Sequence, residues 1–164
     1  MSSASSSVPG PFDRELAEAA FVCDLLRVRD LLARGASPDA RDSDGRPPIV
    51  SAILGNSVAL VGLLLEARAD VDAPDAHGWT PLHFTADEVL PQYASLLLAK
   101  GAKVDARDLE GNTPLHRAVF SARGRGEVVA LLRKAGARDD AKNKNGETPK
   151  SLAARLGESF FTAN

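Results

Sequence analysis

Residues 78–86 read GWTPLHFTA and residues 111–119 read GNTPLHRAV, so the tetrapeptide TPLH stands twice at the same distance after a glycine. Looser copies of the phrase are GRPPIVSA at 45–52 and GETPKSLAA at 146–154. The marker glycines Gly45, Gly78, Gly111 and Gly146 are 33, 33 and 35 residues apart. A second column, Gly35-Ala36, Arg68-Ala69, Gly101-Ala102 and Gly136-Ala137, keeps the same spacing. Two independent columns with one period define an internal repeat, and that decides the architecture before any single element is assigned.

Each phrase carries a proline where a helix begins. Proline suits the first helical position because the amide hydrogen it lacks would have no intrahelical partner there. The threonines before it, Thr80, Thr113 and Thr148, are placed to cap the free amides. Downstream come the leucine-rich stretches DLLRVRDLLARG, ALVGLLLEAR, QYASLLLAKG and EVVALLRKAG, whose apolar residues cover one helical face and predict a second helix. The glycine closing most of them suits a left-handed helix end, and turn segments such as ARDSDG, APDAHG and ARDLEG lead to the next unit. Aligned by the period, Leu16, Ile49, Leu82 and Leu115 form one column. Ala19, Ala52, Thr85 and Ala118 form a small-residue column, and Leu31, Leu64, Leu97 and Leu132 a third. Arg27 and Asp30 interrupt columns that are apolar in the later units, which marks the first unit as a cap with one face toward water.

The TPLH phrases at 80–83 and 113–116, the Gly-Ala links and the 33-residue period together resemble the ankyrin repeat family. The resemblance spans about residues 12–157 and implies an all-α, ankyrin-repeat α-solenoid of antiparallel helix pairs joined by β-hairpin loops. In this register the repeats run 12–41, 42–74, 75–107 and 108–142, with a partial fifth at 143–157. Residues 1–11 are expected to be a disordered tail and 158–164 a C-terminal tail, in which Phe160 and Phe161 are positioned to cover the last helix pair. Three departures stand out. Arg68 replaces the link glycine, so that its turn is expected to be strained or reshaped. DEVLPQY predicts an irregular corner over residues 87–90 before a helix starting at Pro91. SARGRGE holds two extra residues and predicts a lengthened, mobile loop bearing Arg123 and Arg125.

Composition excludes several function classes. No apolar run reaches the roughly 18–20 residues of a spanning helix. The start MSSASSSVPGPFD lacks the basic and apolar regions of a secretory signal, so a cytoplasmic location is expected. One cysteine, Cys23, makes neither an internal disulfide nor a thiolate cluster. A net charge of −2 opposes a general nucleic-acid binder, although residues 1–82 carry 7 basic against 12 acidic residues and residues 83–164 carry 13 against 10. The Arg- and Ala-rich, Lys-poor composition points to a high-GC bacterial source.

Catalysis finds no constellation. His83 and His116 belong to the TPLH phrase, and the family likeness implies that they link neighbouring loops by hydrogen bonds. Cys23 has no histidine near it in the repeat register and reads as a small packing residue. Neither GxxxxGK[ST] nor GxGxxG occurs, so no nucleotide or other cofactor is expected. The expected chemistry is therefore that of a surface. The family implies contacts through hairpin tips and the exposed face of each first helix, here Phe21, Val22, Asp44, Arg46, Leu54, His77, Trp79, Asp87, Glu88, Glu110, Asn112 and Phe120, with Arg123 and Arg125 added by the insertion. Phe21, Val22, Leu54, Trp79 and Phe120 are apolar at positions that face water, and predict a concave strip for a protein partner. Asp44, Asp87, Glu88, Asp108 and Glu110 predict an acidic rim suited to a basic partner surface; the competing reading is an ordinary solvated face. The expected role is a non-catalytic, monomeric protein-binding module acting as a stoichiometric inhibitor, immunity protein or adapter. The alternatives are nucleic-acid or anionic-surface binding by the basic C-terminal half, or a protein similar to cyclin-dependent kinase inhibitors.

Overall fold

A computed structural model describes residues 10–161, and the chain divides into two compact units, one ending at Asp70 and one beginning at Val71. The N-terminal unit contains α1 (Asp13–Phe21), α2 (Leu25–Ala33), α3 (Pro48–Leu54) and α4 (Val58–Glu66). In it α1 packs on α2 and α3, α3 on α4, and α2 on α4. The C-terminal unit contains α5 (Pro81–Asp87), α6 (Pro91–Ala99), α7 (Pro114–Ser121), α8 (Glu127–Lys134) and α9 (Pro149–Leu156). There α5 lies on α6 and α7, α7 on α8 and α9, and α6 on α8. Each unit is thus a stack of helix pairs. Among the described residues no helix is long and apolar enough to cross a membrane.

The helix starts follow the prolines. Pro48, Pro81, Pro91, Pro114 and Pro149 each stand at the head of a helix. Within the N-terminal unit Leu16 and Ile49 are fully buried, and within the C-terminal unit Leu82 and Leu115 are. Each such side chain stabilises its stack by about 1.5–3 kcal/mol relative to exposure. Arg27 at the rim of the first pair instead reaches water, pairing with Glu15 at 3.1 Å.

The expected irregular corner at 87–90 is regular. Val89 takes φ 54°, matching Cys23 at 55° and Asn56 at 52°. In all three corners the next amide closes the same six-residue turn at 2.9 Å: Asp24 to the Ala19 carbonyl, Ser57 to Ala52 and Leu90 to Thr85. What changes along the chain is the residue forced into this left-handed conformation, tolerable for Asn and strained for the β-branched Val89. Arg68 behaves likewise. At φ 65° it preserves the link turn of Gly35 and Gly101, with Ala69 N–H on the Leu64 carbonyl at 2.9 Å, so the turn is strained and not reshaped.

Two expectations about loops change. The 121–126 insertion is held in place: Gly124 N–H donates to the Glu158 carboxylate at 2.9 Å, Arg125 N–H to the Ala122 carbonyl at 2.8 Å, and the Phe160 ring covers Gly126. The described part of the tail, 158–161, lies against α8, where Arg133 donates to the Phe160 carbonyl at 2.7 Å and stacks on Phe161 at 4.9 Å. Among the described residues no β-strand forms, and the expected hairpins are tight turns. Of the expected disordered tail 1–11 and the C-terminal tail 158–164, residues 1–9 and 162–164 lie outside the described residues. Gly10 is described, and its N–H caps onto the Asp13 carboxylate at 2.7 Å.

Candidate functional site

Every loop tip is built on one aspartate or asparagine. Asp42 Oδ1 accepts from the amides of Asp44 and Arg46, Asp75 from His77 and Trp79, Asp108 from Glu110 and Asn112, and Asn143 from Asn145 and Glu147, all at 2.8–3.0 Å. Such turns fold locally because the short side chain imitates a backbone acceptor. Within the C-terminal unit successive tips are tied: Leu109 N–H donates to the His77 carbonyl at 3.0 Å and Lys144 N–H to that of Glu110 at 2.9 Å. Gly78 sits in this seam at φ 79°, where a Cβ would stand 3.0 Å from Leu109 N.

The two TPLH histidines are buried linkers. His83 Nδ1 accepts from Thr80 N–H at 3.1 Å, which leaves Nε2 to carry the proton and donate to the Asn112 carbonyl at 3.1 Å. His116 repeats the pattern between Thr113 N–H at 3.0 Å and the Glu147 carbonyl at 3.1 Å. Burial pushes both imidazoles below the ordinary histidine range, against the opposing pull of the carbonyls they bond. With both ring nitrogens engaged, neither is placed to serve a metal. Among the described residues no group of three His, Cys, Asp or Glu side chains is arranged to hold one. Cys23 is a half-buried free thiol whose sulfur fills the space a side chain at Gly55 would need.

Trp79 is partly occupied by the protein itself. The Arg117 guanidinium covers its ring at 4.1 Å, and Phe84 and His83 lie 5.2 and 6.3 Å from it, centroid to centroid. Arg117 in turn donates to Asp108 Oδ2 at 2.6 Å, and the Asp108 side chain is only 1% exposed. Burial alone would raise the Asp108 carboxyl, but the Arg117 contact and the bonds from Asn112 outweigh it and hold the group below the usual carboxylate range. Asp108 therefore leaves the expected acidic rim and becomes a structural anchor. Asn112 is likewise engaged: its carbonyl holds His83 and its side chain bonds Asp108 at 3.3 Å and Asn143 at 2.9 Å.

The remaining expected residues fall into one set per unit. In the N-terminal unit Phe21 and Val22 are 68% and 70% exposed at the end of α1, and Leu54 is exposed at the end of α3. Phe21, Val22 and Asp44 line a groove of about 760 Å³ together with Arg14, Ala17, Glu18, Arg41, Asp42 and Ser43. Arg14, Ala17 and Glu18 carry no signal of their own in the sequence, although they lie one to two turns before Phe21 and Val22 on the same helix face. Of the ion pairs near this groove, Arg14–Glu18 at 3.0 Å is solvent-exposed and so easily exchanged for a partner's charges, while in Arg46–Asp44 at 3.3 Å the carboxylate is the exposed member. In the C-terminal unit Asp87, Glu88, Phe120, Arg123 and Arg125 share a smaller depression, while His77 and Glu110 are exposed at loop tips.

Comparison with known proteins agrees with the repeat pattern. A profile for ankyrin repeats in three copies matches residues 16–108, and one for ankyrin repeats in many copies matches 91–133. The chain is 35% identical to the RelA-associated inhibitor of Mus musculus over 71 residues, which is 43% of this chain and 9% of that protein. A Danio rerio protein provisionally named a palmitoyltransferase is 34% identical over 132 residues, 80% of this chain and 20% of the relative. The human SH3 and multiple ankyrin repeat domains protein 2 is 38% identical over 69 residues, 42% of this chain and 4% of the relative. The chain thus spans only a small part of each relative.

Proposed function

The chain belongs to the ankyrin repeat family, and on that premise we propose that it is a non-catalytic module that binds a partner protein and blocks it stoichiometrically. Ankyrin repeats serve protein–protein interaction, and the helix pairs described above place structural duty on the buried columns while leaving loop tips and first-helix ends to solvent. The observation that carries the reading is the N-terminal groove. Two large apolar side chains, Phe21 and Val22, stand exposed beside a cleft large enough to take several partner side chains, and its flanking charges are exposed. Apolar anchors ringed by replaceable charges are how interface hot spots are built. Leu54 extends the apolar surface of this unit. In the C-terminal unit, Phe120 with Asp87, Glu88, Arg123 and Arg125 supplies the second contact region, and His77 and Glu110 are exposed at loop tips.

The blocking role, as distinct from scaffolding, matches the name of one relative, an inhibitor, of which this chain covers 9%. The catalytic name of another relative does not transfer, because the shared stretch is one fifth of that protein. A capture experiment tests the reading: the native chain and a Phe21→Ala, Val22→Ala variant of equal thermal midpoint are compared as baits. The variant is expected to lose the partner that the native chain retains, and retention of every partner by the variant would remove the groove as the binding surface.

A further inference from the structure

The two residues inserted between α7 and α8 help to wall a depression at the ends of α5 and α7. Asp87 and Glu88 at the end of α5, Phe120 and Ser121 at the end of α7, and Arg123 and Arg125 from the insertion enclose a depression of about 280 Å³. Its walls are fixed from several sides. Ser121 Oγ donates to Asp87 Oδ1 at 2.8 Å, joining the two helix ends. Gly124 N–H is bonded to Glu158, and a Cβ on Gly126 would meet the Phe160 ring at 3.1 Å, so the C-terminal segment supports the insertion from behind. Arg123 is held at φ 45°, a conformation that a loose loop would abandon.

The charges of this notch do not cancel locally. Among the described residues Asp87, Glu88, Arg123 and Arg125 enter no ion pair, although acids and bases line the same depression. Phe120 lies beside them 61% exposed. The volume falls just short of the roughly 300–1,000 Å³ of small-molecule sites and suits one or two side chains instead. A ligand of a single sign would gain from one wall and be repelled by the other; only one carrying both signs satisfies the two walls together.

The geometry points to an exposed peptide segment of a partner protein in which an arginine stands about two to four residues from an aspartate or glutamate, a spacing an extended chain bridges within the notch. The arginine stacks on the Phe120 ring and pairs with Glu88, and the acidic residue pairs with Arg125. Arginine fits better than lysine because its planar, weakly hydrated guanidinium stacks on an aromatic face while donating in plane. This assignment rests on the protein-binding reading above and adds the chemistry of the segment recognised.

The test titrates the full chain, labelled for NMR, with three capped peptides of equal length: Ala-Arg-Ala-Ala-Asp-Ala, Ala-Arg-Ala-Ala-Arg-Ala and Ala-Asp-Ala-Ala-Asp-Ala. The mixed peptide is expected to shift the amides of residues 87–88 and 120–125 and to bind about tenfold more tightly than either single-sign peptide. Glu88→Gln and Arg125→Gln, both at exposed positions without ion pairs, should each weaken it about fivefold or more at an unchanged thermal midpoint. Equal binding of a single-sign peptide, tighter binding of a short oligonucleotide, absence of shifts at these residues, or native affinity in both variants would each overturn the proposal. Partner capture that is lost in the Phe21→Ala, Val22→Ala variant while the peptide fails would remove the notch and leave protein binding standing. Peptide binding at the notch with partner capture unchanged in the Phe21→Ala, Val22→Ala variant would remove the N-terminal groove and leave the notch standing.

Discussion

Replacing His83 with alanine removes the bonds from Thr80 N–H to Nδ1 and from Nε2–H to the Asn112 carbonyl, both 3.1 Å long, together with the 2.9 Å contact between Thr80 Oγ1 and Nδ1. Each bond contributes about 1 kcal/mol net, and the buried Thr80 amide left without its acceptor adds about 1 kcal/mol or more, for a loss of about 2–4 kcal/mol. The corresponding bonds at Thr148 and Ser151 lie in solvent, so Ser151→Ala should lose less than about 1 kcal/mol. The same geometry sets a pH dependence. The folded C-terminal unit holds His83 and His116 neutral, with values lowered from the ordinary 6.5, whereas the unfolded chain protonates them near that value. Stability is therefore complete above about pH 6.5 and falls as pH drops below it toward the lowered folded values, by up to ~1.4 kcal/mol per pH unit for each histidine. Trp79, the one tryptophan, is 6.3 Å from His83 and reports unfolding of this unit. Urea titrations followed by its fluorescence at pH 7.5 and 5.5 should show His83→Ala about 2–4 kcal/mol less stable at the higher pH, with less than the native sensitivity to acid. A loss below about 1 kcal/mol, or an unchanged acid sensitivity, would refute the linker role of the imidazole.

Three other perturbations probe separate features. Gly55→Ala drives a methyl group into the Cys23 sulfur and close to the Ser51 carbonyl, so it should lower stability by about 1–3 kcal/mol and be partly rescued by Cys23→Ala in a double-mutant cycle of denaturant midpoints. Val89→Gly relieves a β-branched residue at φ 54°. The relief of about 1–2 kcal/mol exceeds the added freedom of the unfolded chain, and a urea titration should show a net gain of about 0.5–1 kcal/mol. Arg117→Ala leaves the buried Asp108 carboxylate without its cationic partner, held only by backbone donors and the Asn112 side chain, and uncovers Trp79; about 2–3 kcal/mol should be lost at neutral pH. Because the folded Asp108 value is lowered, its contribution is present above the ordinary 3.8 and disappears as pH falls through the lower folded value, so acid unfolding of the variant should start at higher pH than in the native chain.

The repeat and the helix starts were legible because proline at a first helical position and a paired Gly-Ala column are local signals, and the helices begin at Pro48, Pro81, Pro91, Pro114 and Pro149 as that chemistry requires. The corners at Cys23, Asn56 and Val89 were not, since a left-handed turn occupied by three different side chains leaves no composition signature and is imposed by the packing of the helices it joins. The engagement of Trp79 escaped notice for a spatial reason: its cover, Arg117, belongs to the next TPLH phrase, and its anchor, Asp108, to the loop between them. An isolated reading of GWTPLH shows only an aromatic residue after a glycine. The insertion shows the opposite effect. Two glycines suggest mobility, yet Glu158 and Phe160, more than thirty residues on, hold the loop in place. Phe21 and Val22, in contrast, were visible as apolar residues at solvent positions, although the groove beside them depends on Arg14, Ala17 and Glu18 of the same helix face.

The central claim is that, in each unit, the ends of the first helices and the tips beside them make the contacts with a partner. Hydroxyl-radical footprinting of the chain, alone and bound to a captured partner, measures this directly, because Phe21 and Phe120 are large, reactive and exposed. The account predicts loss of labelling at Phe21, Val22 and Phe120 in the complex, with Leu26 and Val58, exposed at the starts of α2 and α4, labelled as before. Protection of Leu26 and Val58 with unchanged labelling at Phe21 and Phe120 would contradict it.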